Sequence, residues 1–270
     1  MYYLTFYIFL VLYAFMSVHI ALGQLILSGS ACSGLGITTP VKNNTNVIFS
    51  NPALLASAKS TSMTFSLENH YSFPGLYQMR GGLLLKLPAG KASSGLFRIG
   101  DRHFSYHEFS LGYANTMGLV SLGLRTKIIQ WHIDPLTTIH KLGIDFGGVA
   151  TLSPSWFFGA YIINLNYPLI SKNDHERVPM TMLTGIAYVP SDKVYLQTEI
   201  IKSIDHPPVL NIGLQYMAIE NMGLRTNLST NPLKSRFGIL FTANNLSLEY
   251  SSTLQYPLGQ SHLWSITYKL

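Results

Sequence analysis

From Ser60 onward the chain breaks into segments of roughly ten residues in which apolar and polar positions alternate, with clusters of Gly, Pro, Asn, Asp or Ser between them. A period of two is the signature of a β-strand with unlike faces. In residues 62–68, Met63, Phe65 and Leu67 alternate with Thr64, Ser66 and Glu68. The same pattern places Leu122, Leu124 and Ile128 opposite Ser121, Arg125 and Lys127. It also places His140, Leu142, Ile144 and Phe146 opposite Lys141 and Asp145, and Leu246, Leu248 and Tyr250 opposite Ser247, Glu249 and Ser251. Charged residues within strands therefore gather on one face.

Marking segments between turn signals predicts about fourteen strands. They start near Ser60, Leu76, Ala92, Phe104, Gly118, Thr137, Ser155, Val178, Lys193, Pro208, Met222, Lys234, Leu246 and Ser261. An even number allows antiparallel closure, and a strand set facing lipid must close, because an open edge would strand backbone N–H and C=O groups away from water. The connections at Pro190-Ser191-Asp192, Glu220-Asn221 and Asn244 to Leu246 are tight, as suits the periplasmic rim of a barrel. In the last segment Trp264, Ile266, Tyr268 and Leu270 share one face. Such an ending is similar to the C-terminal signal read by barrel-assembly machinery; an amphipathic edge strand of a soluble sandwich has the same pattern.

Composition sharpens this picture. Apolar residues make up 47% of the 270 and charged residues only 11%, well under the roughly 25% of soluble domains. Yet after residue 23 no apolar stretch approaches the ~20 residues of a membrane-spanning helix. An apolar chain without helical spans fits an all-β, antiparallel transmembrane barrel. Tyr71, Tyr77, Phe104, Trp131, Trp156, Tyr188, Tyr216 and Tyr256 lie near segment ends, where interfacial aromatic girdles would draw them. The net charge of +6 comes from scattered Lys and Arg, without the basic stripe that nucleic acid requires. A lone Cys32 excludes an intramolecular disulfide and a cysteine-based metal cluster.

The first 23 residues hold no Lys, Arg, Asp or Glu and end in Ala21-Leu22-Gly23. This reads as a signal peptide cleaved before Gln24, although a positive start is missing and an uncleaved anchor helix has a similar pattern. Residues 24–58 make a poor strand and a poor helix, with Gly29, Gly34, Gly36, Pro40 and a polar run from Lys42 to Asn46. Irregular backbone at membrane depth must sit within protein or water. The segment is therefore expected as an N-terminal hatch inside the lumen, the other reading being a periplasmic tail, with residues 59–270 forming the barrel. Asn51, Pro52 and Ala53 would set a turn there, Asn51 capping its own backbone and Pro52 fixing φ.

Within residues 33–56, Ser33-Gly34-Leu35-Gly36 and Phe49-Ser50-Asn51-Pro52-Ala53-Leu54-Leu55-Ala56 resemble the N-terminal signature of FadL-like barrels. The chain looks most like the short branch of Bacteroidota that includes PorV and PorQ. Further similarity lies in residues 106–114, 159–166, 190–202 and 258–262. The resemblance implies a fourteen-stranded barrel with a hatch, in the outer membrane of a Gram-negative bacterium. Its implied role is non-enzymatic: a type IX secretion accessory that contacts secretion-system proteins or secreted cargo, or a transporter of a hydrophobic small molecule. Its surroundings would be outer-membrane lipid. A structural docking barrel and a barrel-embedded lipid hydrolase are the other readings.

No phosphate-binding loop or nucleophile elbow occurs, and no cofactor or metal site is expected. His103 and His107 would stand about 13 Å apart on one strand face, too far to share a metal. Glu68, Arg80, Arg98, Glu108, Arg125, Lys127, Asp145, Glu199 and Glu249 are the candidate lumen-facing charges. They would line a solute path, or be paired within a plugged barrel because unpaired buried charge is costly.

Overall fold

The computed structural model describes residues 47–134, 137–170, 177–204 and 206–270. The expected signal peptide and the first part of the hatch, residues 24–46 with Cys32, lie outside the described residues.

Fourteen antiparallel strands close into one barrel. They are β1 (Ser62–Asn69), β2 (Tyr77–Leu87), β3 (Gly90–Gly100), β4 (Phe104–Met117), β5 (Val120–Ile133), β6 (Thr137–Ser153) and β7 (Trp156–Ile163) in the first half. β8 (Thr181–Ser191), β9 (Val194–Ser203), β10 (Val209–Ile219), β11 (Met222–Ser229), β12 (Lys234–Ala243), β13 (Leu246–Gln255) and β14 (Gly259–Lys269) complete it. Closure is made by β1 on β14, in unbroken register from Ser62 opposite Lys269 to Asn69 opposite His262. Among the described residues the sheet has no open edge.

The two ends of the barrel differ. At one, strands are joined by tight turns, with Gly118 (φ 64°) and Asn244 (φ 49°) in the left-handed conformation such turns need. The chain also enters β1 and leaves β14 at this end. At the other end the connections are longer, the longest being that from β7 to β8.

The outer face is apolar. Along β5, Val120, Leu122, Leu124 and Ile128 are all exposed, over about 26 Å of strand at ~3.3 Å per residue. With a tilt of 35–45° this gives a height of about 20 Å, close to the ~25 Å apolar band of a bilayer-spanning barrel. Gln130 and His132 continue the same face toward the loop end. At the tight-turn end Tyr113, Trp156, Tyr216 and Tyr268 point outward, and the Trp156 and Tyr188 rings are 4.6 Å apart, as in an interfacial girdle. Trp131 and Tyr71 do not join a girdle: both pack against the buried cluster within the barrel. Trp131 meets Tyr106 edge-on at 5.5 Å.

The inner face has the reverse chemistry, with Ser, Thr, Gln and charged side chains almost fully buried. Thr64 pairs with Thr267 (2.9 Å) and Ser66 with Ser265 (2.7 Å) across the closing seam. Two short 3-10 helices, Val47–Phe49 and Pro52–Ser57, lie against the inner faces of β2 to β6.

Candidate functional site

The site grows from the junction between this inner segment and the wall. Asn51 caps the Pro52–Ser57 helix, its side-chain oxygen accepting from the Ala53 N–H at 3.0 Å. Pro52 stands at the first helical position, where its missing N–H costs nothing. The Asn51 amide group also donates to the carbonyl oxygens of Gly148 (3.2 Å) and Ala160 (3.3 Å), tying the turn to β6 and β7. Ala53 is buried, with Leu54 and Val149 as neighbours.

The wall makes room by omitting side chains. A Cβ on Gly147 would run into the Asn51 side chain, and one on Gly123 into the Pro52–Ala53 backbone. A Cβ on Gly82 would lie 2.8 Å from Ile48, and one on Gly95 3.0 Å from Phe49. Inward-facing glycines on β2, β3, β5 and β6 thus form a surface against which the segment seats. Ile48, Phe49 and Leu55 fill the space with Leu84, Phe97, Ile99 and Tyr106.

Charge locks the packing. Arg125 donates to the carbonyl oxygens of Ile48 (2.8 Å) and Ser50 (3.2 Å). It also pairs with Asp145 at 2.9 Å and touches the Tyr161 hydroxyl. Asp145, wholly buried, accepts from Lys127 (3.0 Å), from the Tyr161 hydroxyl (3.1 Å) and from the Asn164 backbone N–H (2.9 Å). Glu108 accepts from the Tyr106 hydroxyl (2.9 Å) and lies 4.0 Å from Lys127. Such a buried network is stable only while every partner is present.

Two further groups line the rest of the lumen. Glu68 accepts from Gln78 (3.1 Å) and lies 4.0 Å from Arg80 and 3.8 Å from Arg236. The Arg80 guanidinium sits over the rings of Phe97 (5.4 Å) and Phe49 (6.0 Å), so the inner segment supplies one of its two π-faces. Arg225 pairs with Glu249 at 2.7 Å and donates to Gln215. Glu199 is buried on the same inner face of β9. Arg225 and Arg236 share the parity of buried neighbours on their strands, so alternation alone would have identified them. Tyr106 and Tyr161 gave no such signal, since an inward Tyr resembles a girdle residue until its hydroxyl partner is known.

Arg98 departs from the expectation of a lumen-facing charge. It follows Leu96 on the exposed side of β3, while Phe97 and Ile99 are the inward residues, packed in the cluster that holds the inner segment. Trp264, Ile266, Tyr268 and Leu270 all stand on the exposed side of the closing strand, with Leu263 and Ser265 buried opposite.

Toward the loop end the lumen opens into a solvent-connected cleft of about 110 Å³ between β9 and β13, lined by Ile201, Pro207, Val209, Asn211, Ser229 and Pro232 among others. No group of three or more potential metal ligands occurs among the described residues. Ser105 and His107 touch at 3.2 Å, but on the exposed side of β4 and with no carboxylate behind the imidazole among the described residues. The arrangement holds the inner segment in place and leaves a cleft open at the mouth, and among the described residues no Ser-His-carboxylate set is assembled.

No family profile matches the chain, and no curated protein sequence matches it. Solved structures do share its fold. A TodX mutant described as a monoaromatic hydrocarbon channel superposes with a TM-score of 0.65 at 11% identity, covering 89% of this chain and 99% of that one. The toluene transporter TbuX of Ralstonia pickettii gives 0.64 at 10% identity, covering 84% and 94%. A FadL homologue of Pseudomonas aeruginosa gives 0.63 at 11%, covering 89% and 97%.

Proposed function

We propose that this chain is a non-enzymatic outer-membrane barrel that admits a small hydrophobic molecule from the loop end. The observation that carries the reading is the pairing of an open, partly apolar mouth cleft on the β9 to β13 side with a segment, Val47–Ser57, packed inside the barrel against β2 to β6. Its lining surface, mostly apolar with a few polar groups such as Asn211 and Ser229, has the chemistry of a small-molecule site. An unobstructed water-filled porin would not need the glycine seat or the Arg125 lock. The fold shared with proteins described as hydrocarbon channels and toluene transporters supports the same reading, and the exposed apolar band supports residence in a bilayer. The closing strand, with its outward Trp264, Ile266, Tyr268 and Leu270, would be what the barrel-assembly machinery engages.

Uptake by proteoliposomes of a labelled monoaromatic hydrocarbon tests the proposal. Faster entry than into protein-free vesicles, slowed by Val209→Trp in the mouth cleft, is expected; equal entry with and without protein would reject it. The segment packed inside the barrel and the Asn51-Pro52-Ala53 element also favour a second reading, a PorV/PorQ-like accessory of type IX secretion. In that case deleting the gene would leave secreted proteins in the periplasm while hydrocarbon uptake stayed unchanged.

A further inference from the structure

A groove runs over the outer wall of the barrel on β1 to β5, away from the lumen. Its upper part is lined by Met79, Arg98, His107 and Gln130, and its lower part by Phe65, Gly81, Leu96, Phe109 and Ile128. The residues are neighbours by register: Met79 faces Arg98, Arg98 faces His107 and His107 faces Gln130. One step toward the middle of the wall, Phe65 faces Gly81, Gly81 faces Leu96 and Leu96 faces Phe109. A second hollow continues from Gly81 past Met63 and Leu83 to Ile266 and Tyr268 of β14.

The floor of both hollows is Gly81, where a Cβ would meet no atom within 4 Å. An apolar trough is thus cut into the lipid-facing wall, and its end nearest the loops is polar. On the outward face of the groove the charged side chain is Arg98. Arg98 is exposed and makes no ion pair or hydrogen bond among the described residues. Glu108 is held on the lumen side by Tyr106 and Lys127. The nearby loop carboxylates are also engaged: Asp101 accepts from the backbone N–H groups of His103 and Phe104, and Asp134 faces His103 at 3.9 Å.

We infer that this groove seats one phosphorylated, anionic lipid of the leaflet at the loop end. Its phosphate lies between Arg98, His107 and Gln130, and one acyl chain runs over Gly81 between Phe65, Leu96 and Phe109. Arginine suits the task because its planar fork donates two parallel hydrogen bonds to phosphate oxygens. The position suits it as well, because the polar row begins where the apolar band of the wall ends, at headgroup height. The inference rests on bilayer residence alone and is independent of what passes through the lumen.

The test uses the purified full chain in a mild non-ionic detergent, with binding read from the intact complexes by native mass spectrometry and from the unfolding temperature. The probes are lipid A carrying two phosphates, phosphatidylcholine and inorganic phosphate. Lipid A is expected to stay bound and raise the unfolding temperature, with the other two giving no comparable shift. Arg98→Gln should weaken lipid A binding about tenfold, in line with loss of a charge-assisted hydrogen bond. Gly81→Leu should weaken it by filling the trough while leaving the phosphate end intact, and Arg102→Gln, in the neighbouring loop, should leave it unchanged. Equal binding of phosphatidylcholine would show a nonspecific acyl surface. Equal stabilisation by inorganic phosphate would show a free-anion site. Lipid A affinity unaltered in both Arg98→Gln and Gly81→Leu would place the lipid elsewhere. Each of these three results overturns the inference.

Discussion

The guanidinium of Arg125 donates to the carbonyl oxygen of Ile48 over 2.8 Å, joining the barrel wall to a segment 77 residues earlier in the chain. The same side chain holds Asp145 at 2.9 Å, so one cation satisfies both a backbone acceptor and a buried carboxylate. Replacing it with Gln leaves Asp145 to Lys127 and Tyr161 and leaves the Ile48 and Ser50 carbonyls short of a charged donor. Arg125→Gln should destabilise the barrel by about 3 kcal/mol, the lower end for breaking a buried ion pair because Lys127 remains. Urea unfolding in lipid vesicles measures this. Planar bilayers should also show a higher conductance, since the inner segment loses its lock. Wild-type values in both measurements would mean that Arg125 is not what holds the segment.

Membrane embedding makes its own prediction. Leu124 stands at the centre of the apolar run on β5 and is 46% exposed, whereas Ser121 lies on the other face and meets Thr116 at 2.9 Å. Leu124→Arg should cost about 2–4 kcal/mol if it lies near the midplane, and folding into vesicles should fall accordingly. Ser121→Ala should fold as the parent does. Equal yields would mean that the wall does not face hydrocarbon there.

The strands were legible because the outer face of the barrel is apolar and much of the inner face polar, so side-chain character alternates along each strand. Predicted starts at Ser60, Leu76 and Pro208 lie within two residues of the observed Ser62, Tyr77 and Val209. Alternation failed at Arg98 for a reason internal to the plug. Where Ile48 and Phe49 press on the wall, the inward positions Phe97 and Ile99 must be apolar, so polarity no longer tells inside from outside. Trp131 turned inward through the same cluster. The glycine seat was illegible for a different reason: a glycine in a strand reports only that something comes close, and the approaching residues are 30 to 100 positions away.

His70 predicts a response to acid at the loop end. It lies in a short 3-10 turn beyond β1, 3.3 Å from the Gln78 side chain. Burial lowers its pKa below the usual 6.5; Glu68 and the Gln78 contact oppose this, and Arg80 and Arg236 add to it. A base with a depressed pKa in the folded state binds fewer protons than it does when unfolded. Stability is therefore retained above pH 6.5 and is lost as pH falls through the folded value. Hydrogen exchange around Tyr71, whose N–H is bonded to Ser261 at 2.9 Å, should accelerate on acidification below pH 6.5. His70→Phe should remove that acceleration, and its persistence in the variant would assign the effect to another group.

Gly147 and Gly148 are adjacent on β6 and face opposite sides of the wall, which gives the cleanest test of the inner segment. A methyl group on Gly147 would collide with the Asn51 side chain, whereas one on Gly148 would meet Leu122 at 3.4 Å, an ordinary contact. Backbone propensity changes alike in the two substitutions, because both positions are extended strand. Any difference between them must then come from what lies inside the barrel. Gly147→Ala should push Asn51 away from the Gly148 and Ala160 carbonyls, break the turn at Pro52 and raise single-channel conductance in planar bilayers. Gly148→Ala should leave conductance at the parent level and fold equally well. If the two variants conduct alike at matched insertion, the segment from Val47 to Ser57 does not obstruct the lumen, and its role as a plug fails.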